Sequence, residues 1–271
     1  PDQLTLGNGS NDVLDLITRV VMEPGFEAII PEHSFVVYKL SVTCANGEIV
    51  VAPAASGFGA DLEAVRDRIS DKTRLIFIAN PNNPTGTWVG LEEIERLLLA
   101  VPKSVWVVID EAYFEYLDHP QYGSALCLME RFKNLIVTRT FSKIYGLASL
   151  RLGYSVTSSR FADLLNRARQ PFNVGGLTLA AGEAALSDDE FIIESRQKNK
   201  KGLRQLEKGL DELGFPWIPS GGNFLAVDCD RDGQELFREL LKEGVIVRAI
   251  GEYGMPNHIR VSVGLPEENI R

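Results

Sequence analysis

Leu135-Ile-Val-Thr-Arg-Thr-Phe-Ser-Lys-Ile-Tyr-Gly-Leu-Ala-Ser-Leu-Arg151 is the stretch around which the rest of the chain can be read. The apolar run Leu135 to Val137 predicts a buried strand, and it gives way to hydroxyls and then to Lys143. A lysine ammonium is costly to bury unless paired or neutralised, so this placement points to a reactive amine, and the chemistry of a reactive lysine is Schiff-base chemistry. An isolated Ser142-Lys143 pair would instead read as a strand-end lysine reaching for water. Two distant stretches favour the reactive amine. Leu75 to Ala79 runs into Asn80-Pro-Asn-Asn83-Pro84-Thr-Gly86, and Val105 to Ile109 runs into Asp110-Glu-Ala-Tyr113. In open parallel α/β sheets ligands bind at the carboxyl ends of the strands, so these three polar ends are expected to converge.

Outward from these strands, apolar spacing predicts helices over Val13 to Val21, Phe35 to about Ala45, Asp61 to Ile69, Leu91 to Val101 and Phe161 to Ala168. Short strands are expected at Ala28 to Pro31, Glu48 to Pro53 and Gly153 to Val156. This βαβ rhythm predicts an α/β fold, a mostly parallel sheet sandwiched by helices. From Glu190 to about Leu213 the character changes to a long charged helix, stopped by Gly214 and Pro216, whose lysines form a solvated face. Strand, helix, strand and strand then follow at Phe224 to Val227, Gln234 to Lys242, Val245 to Arg248 and Ile259 to Val261, which predicts a smaller α+β domain. We set the division as 1–188 and 189–271.

Gly7-Asn-Gly-Ser-Asn-Asp12 reads as a glycine turn opening a helix, capped by Ser10 or Asn11, with free N-H groups suited to a phosphate. Asp12 occupies the third glycine position of a Gly-x-Gly-x-x-Gly fingerprint, so a dinucleotide fold gains nothing from it.

With 271 residues, 45% hydrophobic and 24% charged, the chain can bury a substantial core, and a net charge of −9 argues against nucleic-acid or anionic-membrane partners. Cys44, Cys127 and Cys229 lack zinc or redox spacing, and His33, His119 and His258 lack metal-ligand spacing, so we expect a reducing, cytoplasmic setting and no metal. No apolar run approaches the roughly 18 residues of a membrane span.

The ordered set Asn83-Pro-Thr-Gly86, Asp110-Glu-Ala-Tyr113, Ser142-Lys143 and Arg151 resembles the fold-type I aminotransferases that use pyridoxal phosphate. Within them, Gly7 to Asp12 and Ile259-Arg-Val-Ser-Val-Gly264 look most like histidinol-phosphate aminotransferases, and the resemblance covers essentially the whole chain. It implies that Lys143 holds the cofactor aldehyde and moves the substrate proton, that Asp110 pairs with the pyridine nitrogen, and that Asn83 and Tyr113 bond the phenolic oxygen. It also implies that Phe35 stacks on the ring and that Ser10, Asn11, Thr140, Ser142 and Arg151 hold the phosphate. On the substrate side, Arg260 would clamp a carboxylate, Arg248 would lie near a phosphate ester, and Asn223 is a further contact candidate. The implied reaction exchanges an amino group between histidinol phosphate and the glutamate/2-oxoglutarate pair in histidine biosynthesis, in a homodimer. An aromatic amino-acid aminotransferase, a phosphothreonine decarboxylase of the same group, and a cofactor-sensing or inactive domain remain open at this point. Because proteins of this kind carry a segment before the glycine turn and this chain starts at Pro1, we expect residues upstream and a short tail downstream.

Overall fold

The computed structural model describes all of residues 1–271. Its first part interleaves strands and helices: β1 (Leu4–Asn8), α1 (Ser10–Val21), β2 (Glu27–Pro31), α2 (Val36–Cys44), β3 (Glu48–Ala52), α3 (Leu62–Arg66), β4 (Thr73–Ala79), α4 (Leu91–Ala100) and β5 (Trp106–Asp110). Next come β6 (Leu135–Thr140), β7 (Leu152–Val156), α5 (Ser159–Ala168) and α6 (Gly176–Leu186). The strands form one seven-stranded sheet in the order β1-β7-β6-β5-β4-β2-β3. From β6 to β3 every pairing is parallel, and β7 runs antiparallel to both its neighbours.

Period-two alternation divides the central strands between two cores. Ile76, Ile78, Val107, Ile109, Leu135 and Val137 pack under α3 and α4 with Val65, Ile94, Leu97 and Leu98. Leu75, Phe77, Val108 and Ile136 face the other way, against Val13, Leu14 and Ile17 of α1, Tyr38 and Val42 of α2, and Phe161 and Leu165 of α5. Strands buried on both faces read as continuous apolar runs, which is why the sequence revealed them.

The 25-residue α7 (Asp189–Leu213) ends at Gly214 in the left-handed region (φ 76) and leads to β8 (Trp217–Ile218), β9 (Phe224–Asp228), α8 (Gly233–Lys242), β10 (Arg248–Ala249), β11 (His258–Ser262) and α9 (Pro266–Ile270). These strands form an antiparallel sheet ordered β10-β11-β9-β8. Leu225, Val227 and Ile259 pack toward Leu203 and Leu206 of α7 and Leu236 and Leu240 of α8. Ile218 and Ala226 pack instead with Tyr253, Met255, Val36 and Phe58, which seats this sheet against the start of α2. Lys198 and Lys208 pair with Glu194 and Glu212 on the exposed face of α7.

The structure corrects several local expectations. Gly7 and Asn8 end a strand, and α1 starts at Ser10 with Gly9 (φ 80) at its cap, so neither Ser10 nor Asn11 caps it. The Asp61 to Ile69 helix shortens to Leu62–Arg66, and the Val245 to Arg248 strand pairs only from Arg248 onward. The strand at 152–156 is reversed, and α6, α9 and the short β8 had no sequence reading. No helix is long and apolar enough to cross a membrane.

Candidate active site

Register brings the polar strand ends together. Ala79 lies beside Asp110, and Asp110 beside Thr138, so the loops after β4, β5 and β6 open on one cavity. Ser10, Asn11, Phe35, Asn83, Asp110, Tyr113, Thr140, Ser142, Lys143 and Arg151 all line it, together with Tyr38, Ala79, Pro81 and Ala112. Every residue assigned to a cofactor from the sequence is therefore in one place. The Lys143 ammonium lies 5.1 Å from the centre of the Tyr113 ring, over its face.

At the floor of the cavity Asp110 is only 4% exposed. Burial pushes its carboxyl above the ordinary range, opposed by hydrogen bonds from Tyr38 and Thr138, the Ala112 N-H and the nearby Lys143 charge. Tyr38 Oη donates to Oδ2 at 2.8 Å and Thr138 Oγ1 to Oδ1 at 2.9 Å. A buried acid supported in this way is suited to holding a cationic N-H of a ligand.

The opposite wall is built for an anion. α1 begins without a side-chain cap, so its first N-H groups keep their donors at the positive end of the helix dipole. A Cβ on Gly9 would collide with the Arg151 guanidinium, and one on Gly153 would strike the backbone of Gly9 and Ser10. These two glycines let the helix end, Arg151 and the β7 backbone approach one another. Arg151 Nη1 donates to Ser142 Oγ at 3.2 Å and to the Ala148 carbonyl at 3.1 Å, and Ser142 N donates to Thr140 Oγ1 at 3.1 Å.

None of the three substrate candidates lines the cavity; Arg260 touches it through Asn83, and Arg248 borders a separate pocket with Gln234 and Glu252. Arg260 Nη1 donates to Asn83 Oδ1 at 2.6 Å, which commits that oxygen and leaves the Asn83 amide N-H groups as the donors. The same guanidinium lies 5.0 Å from the Phe224 ring centre, and its Nε is buried without a partner. Arg248 is directly across from Arg260 in the β10–β11 register, is exposed, and pairs with Glu252. Asn223 accepts Val263 N at 2.9 Å through its carbonyl at the start of β9.

Comparison with known proteins agrees with this geometry. The family model for aminotransferase class I and II matches residues 1–271. The chain belongs to the class I and II aminotransferases. Histidinol-phosphate aminotransferase 2 of Pseudomonas fluorescens is 52% identical over 270 residues, spanning 100% of this chain and 73% of that protein. The protein of the same name from Pseudomonas aeruginosa is 53% identical over 269 residues, 99% of this chain and 73% of the relative. Among solved structures, histidinol-phosphate aminotransferase from Sinorhizobium meliloti in complex with pyridoxal-5'-phosphate superposes with a TM-score of 0.94 at 28% identity, over 100% of this chain and 74% of that one. The two layers of helices on a mostly parallel sheet are the fold of this enzyme class.

Sequence reading of this aminotransferase missed the residues that stand behind the site. Tyr38 follows Phe35 by three positions, one helical turn, and that spacing was the available signal. Thr138 is the β6 residue in register with Asp110. Glu111 is buried and saturated: Ala125 N donates at 2.7 Å, Ser124 Oγ at 2.8 Å, and Arg139 Nη2 at 2.7 Å. Burial raises the Glu111 pKa, with Arg139 the main opposing influence. Its role is to lock the turn that carries Tyr113 onto β6.

Proposed function

We propose that this aminotransferase uses pyridoxal phosphate to transfer an amino group between histidinol phosphate and the glutamate/2-oxoglutarate pair, in histidine biosynthesis. The observation that carries the proposal is the single cavity holding Lys143, Asp110 and the uncapped end of α1 beside Arg151. The residues fit the cofactor on chemical grounds: a buried acid for a ring N-H, an anion cradle that a Cβ at Gly9 would fill, and one amine between them. The relatives at 52% and 53% identity carry the histidinol-phosphate name, which favours this donor over an aromatic amino acid or phosphothreonine.

When bound, pyridoxal phosphate supplies an electron sink that stabilises negative charge at the substrate α-carbon. The chain supplies the rest. Lys143 Nζ takes the proton from the α-carbon and returns it on the other side of the exchange. Asp110 would hold a proton on the ring nitrogen, while Asn83 Nδ2 and Tyr113 Oη would donate to the phenolic oxygen. Phe35 would cover the ring face. Ser10, Asn11, Thr140, Ser142 and Arg151 would hold the phosphate, to which the planar arginine fork is suited. Arg260 receives the carboxylate of glutamate, Arg248 the phosphate of the other donor, and Asn223 borders the same space.

We read two domains, 1–188 and 189–271, working as a cytoplasmic homodimer. Phe172 before α6 is 99% exposed and Leu177 on it 87%, with Leu179 and Leu186 also exposed, and this concentration of uncovered apolar side chains in one stretch of chain supports an interface there. Single-turnover assays of the loaded enzyme with histidinol phosphate, phosphothreonine, phenylalanine and glutamate, with product analysis, test the donor. Histidinol phosphate and glutamate are expected to react fastest. A faster turnover of phenylalanine, or release of carbon dioxide from phosphothreonine, overturns the assignment.

A further inference from the structure

We propose that Tyr38 is a positioning residue for the reaction: its hydroxyl holds the Asp110 carboxylate ionised and correctly turned, so that Asp110 keeps the proton on the cofactor ring nitrogen. The inference rests on the reading of Asp110 given above and extends it to a residue that does not itself contact the ring nitrogen.

Three features make Tyr38 more than a core aromatic. Its hydroxyl is 2.8 Å from Asp110 Oδ2, while Oδ1 is taken by Thr138 at 2.9 Å, so each carboxylate oxygen has its own donor from a different element. Its ring cannot swing away, because it is fully buried and stacked on Phe77 of β4 at 4.7 Å and 6°. Burial first, and the Asp110 charge second, push its own pKa well above the ordinary phenol value, so it remains a donor and never competes as an anion. A shorter serine or asparagine in its place would surrender this reach or this rigidity.

Position adds a second function. Phe35 precedes Tyr38 by one helical turn, and their rings meet edge to face at 5.8 Å and 87°. The same first turn of α2 therefore presents an aromatic wall to the cavity and fixes the acid at its floor. The titratable groups around Asp110 are Tyr38 from α2 and Lys143 after β6, with Tyr113 lining the same cavity. Among them Tyr38 alone is within hydrogen-bond distance of a carboxylate oxygen.

The test uses Tyr38→Phe, which keeps the ring and its stack and deletes one oxygen. Wild type and variant are loaded with pyridoxal phosphate carrying ¹⁵N in the ring, and the nitrogen signal is followed across pH. Losing one charge-assisted bond should loosen the hold on the proton roughly ten- to a hundredfold, so the nitrogen is expected to deprotonate about one to two pH units lower in Tyr38→Phe. kcat should fall with KM little changed, and thermal stability should stay close to wild type. A purely structural tyrosine would leave the nitrogen titration where it was. Asp110→Asn is the companion: if it moves the nitrogen signal and Tyr38→Phe does not, the role of Tyr38 is refuted while that of Asp110 stands. If Asp110→Asn leaves the signal unmoved as well, the reading of Asp110 fails and the proposal for Tyr38 falls with it.

Discussion

Arg260→Leu is the substitution in which binding and stability should part most clearly. In the folded chain Arg260 donates to Asn83 at 2.6 Å and lies over the Phe224 ring at 5.0 Å. Removing these contacts costs about 0.5 to 1.5 kcal/mol for the hydrogen bond and about 0.5 to 1 kcal/mol for the cation–π contact. Against this, Arg260 Nε is buried with no partner, and deleting an unsatisfied buried donor returns about 1 to 3 kcal/mol. The terms nearly cancel, so Tm should move by no more than about 4 °C in either direction. Substrate binding has no such cancellation. A charge-assisted bond to the glutamate carboxylate is worth about 1.5 to 3 kcal/mol, which is a roughly ten- to hundredfold loss in kcat/KM. The assay is the half-reaction with glutamate beside that with histidinol phosphate, plus a thermal melt. Glutamate should suffer at least as much as histidinol phosphate. Unchanged glutamate kinetics, or a fall in Tm of about 10 °C with equal losses for every substrate, would refute the reasoning.

Arg248→Leu removes an exposed pair with Glu252, worth about 0 to 1 kcal/mol, and a contact over the Tyr253 ring at 5.8 Å, worth about 0.5 to 1 kcal/mol, so stability should fall only slightly while turnover of histidinol phosphate falls further than that of histidinol; equal losses would mean that Arg248 does not read the phosphate. Gly153→Ala places a methyl against the Gly9 and Ser10 backbone, and equilibrium dialysis should show weakened affinity for pyridoxal phosphate, whereas unaltered binding would show that the start of α1 is not part of the anion cradle. Asp110→Asn should slow transamination severely yet stabilise the cofactor-free protein at neutral pH. Burial raises the Asp110 pKa in the fold, so its contribution is fully present below the unfolded value of about 3.9 and is lost as pH rises through the folded value; melts across pH should show the variant's advantage vanishing in acid. Phe172→Ser with Leu177→Ser should shift sedimentation toward monomer, and a dimer of unchanged strength would place the interface elsewhere.

What was legible in the sequence was what the backbone period and the strand ends dictate. β4, β5 and β6 are buried on both faces, so they read as apolar runs, and their carboxyl-terminal polar residues announced the site. The direction of β7 was hidden because a reversed strand has the same alternation as a parallel one. β1 was hidden because its glycine at Gly7 and the cap at Gly9 look like a turn, although the first lies in a strand. Helix α6 is apolar on all sides without a clear stripe, so periodicity had nothing to detect. In the site, the residues carried by motifs were found, whereas Tyr38, which lines the same cavity, and Thr138 and Arg139 act through other side chains and are tied to Asp110 and Glu111 only by tertiary contacts. Asn83 was read as a cofactor contact, but its link to Arg260, separated from it by 177 positions, could come only from the fold.

The most direct measurement is reductive labelling of the loaded enzyme. Borohydride should fix the cofactor to a lysine side chain, and peptide mapping then identifies which one. Lys143 lines the cavity beside Asp110 and Arg151, so the label is expected on the peptide containing Thr140 to Arg151 and lost in Lys143→Ala. A label recovered on Lys39 or Lys133, or one that persists in Lys143→Ala, would contradict the assignment of the reactive amine and, with it, the proposed chemistry.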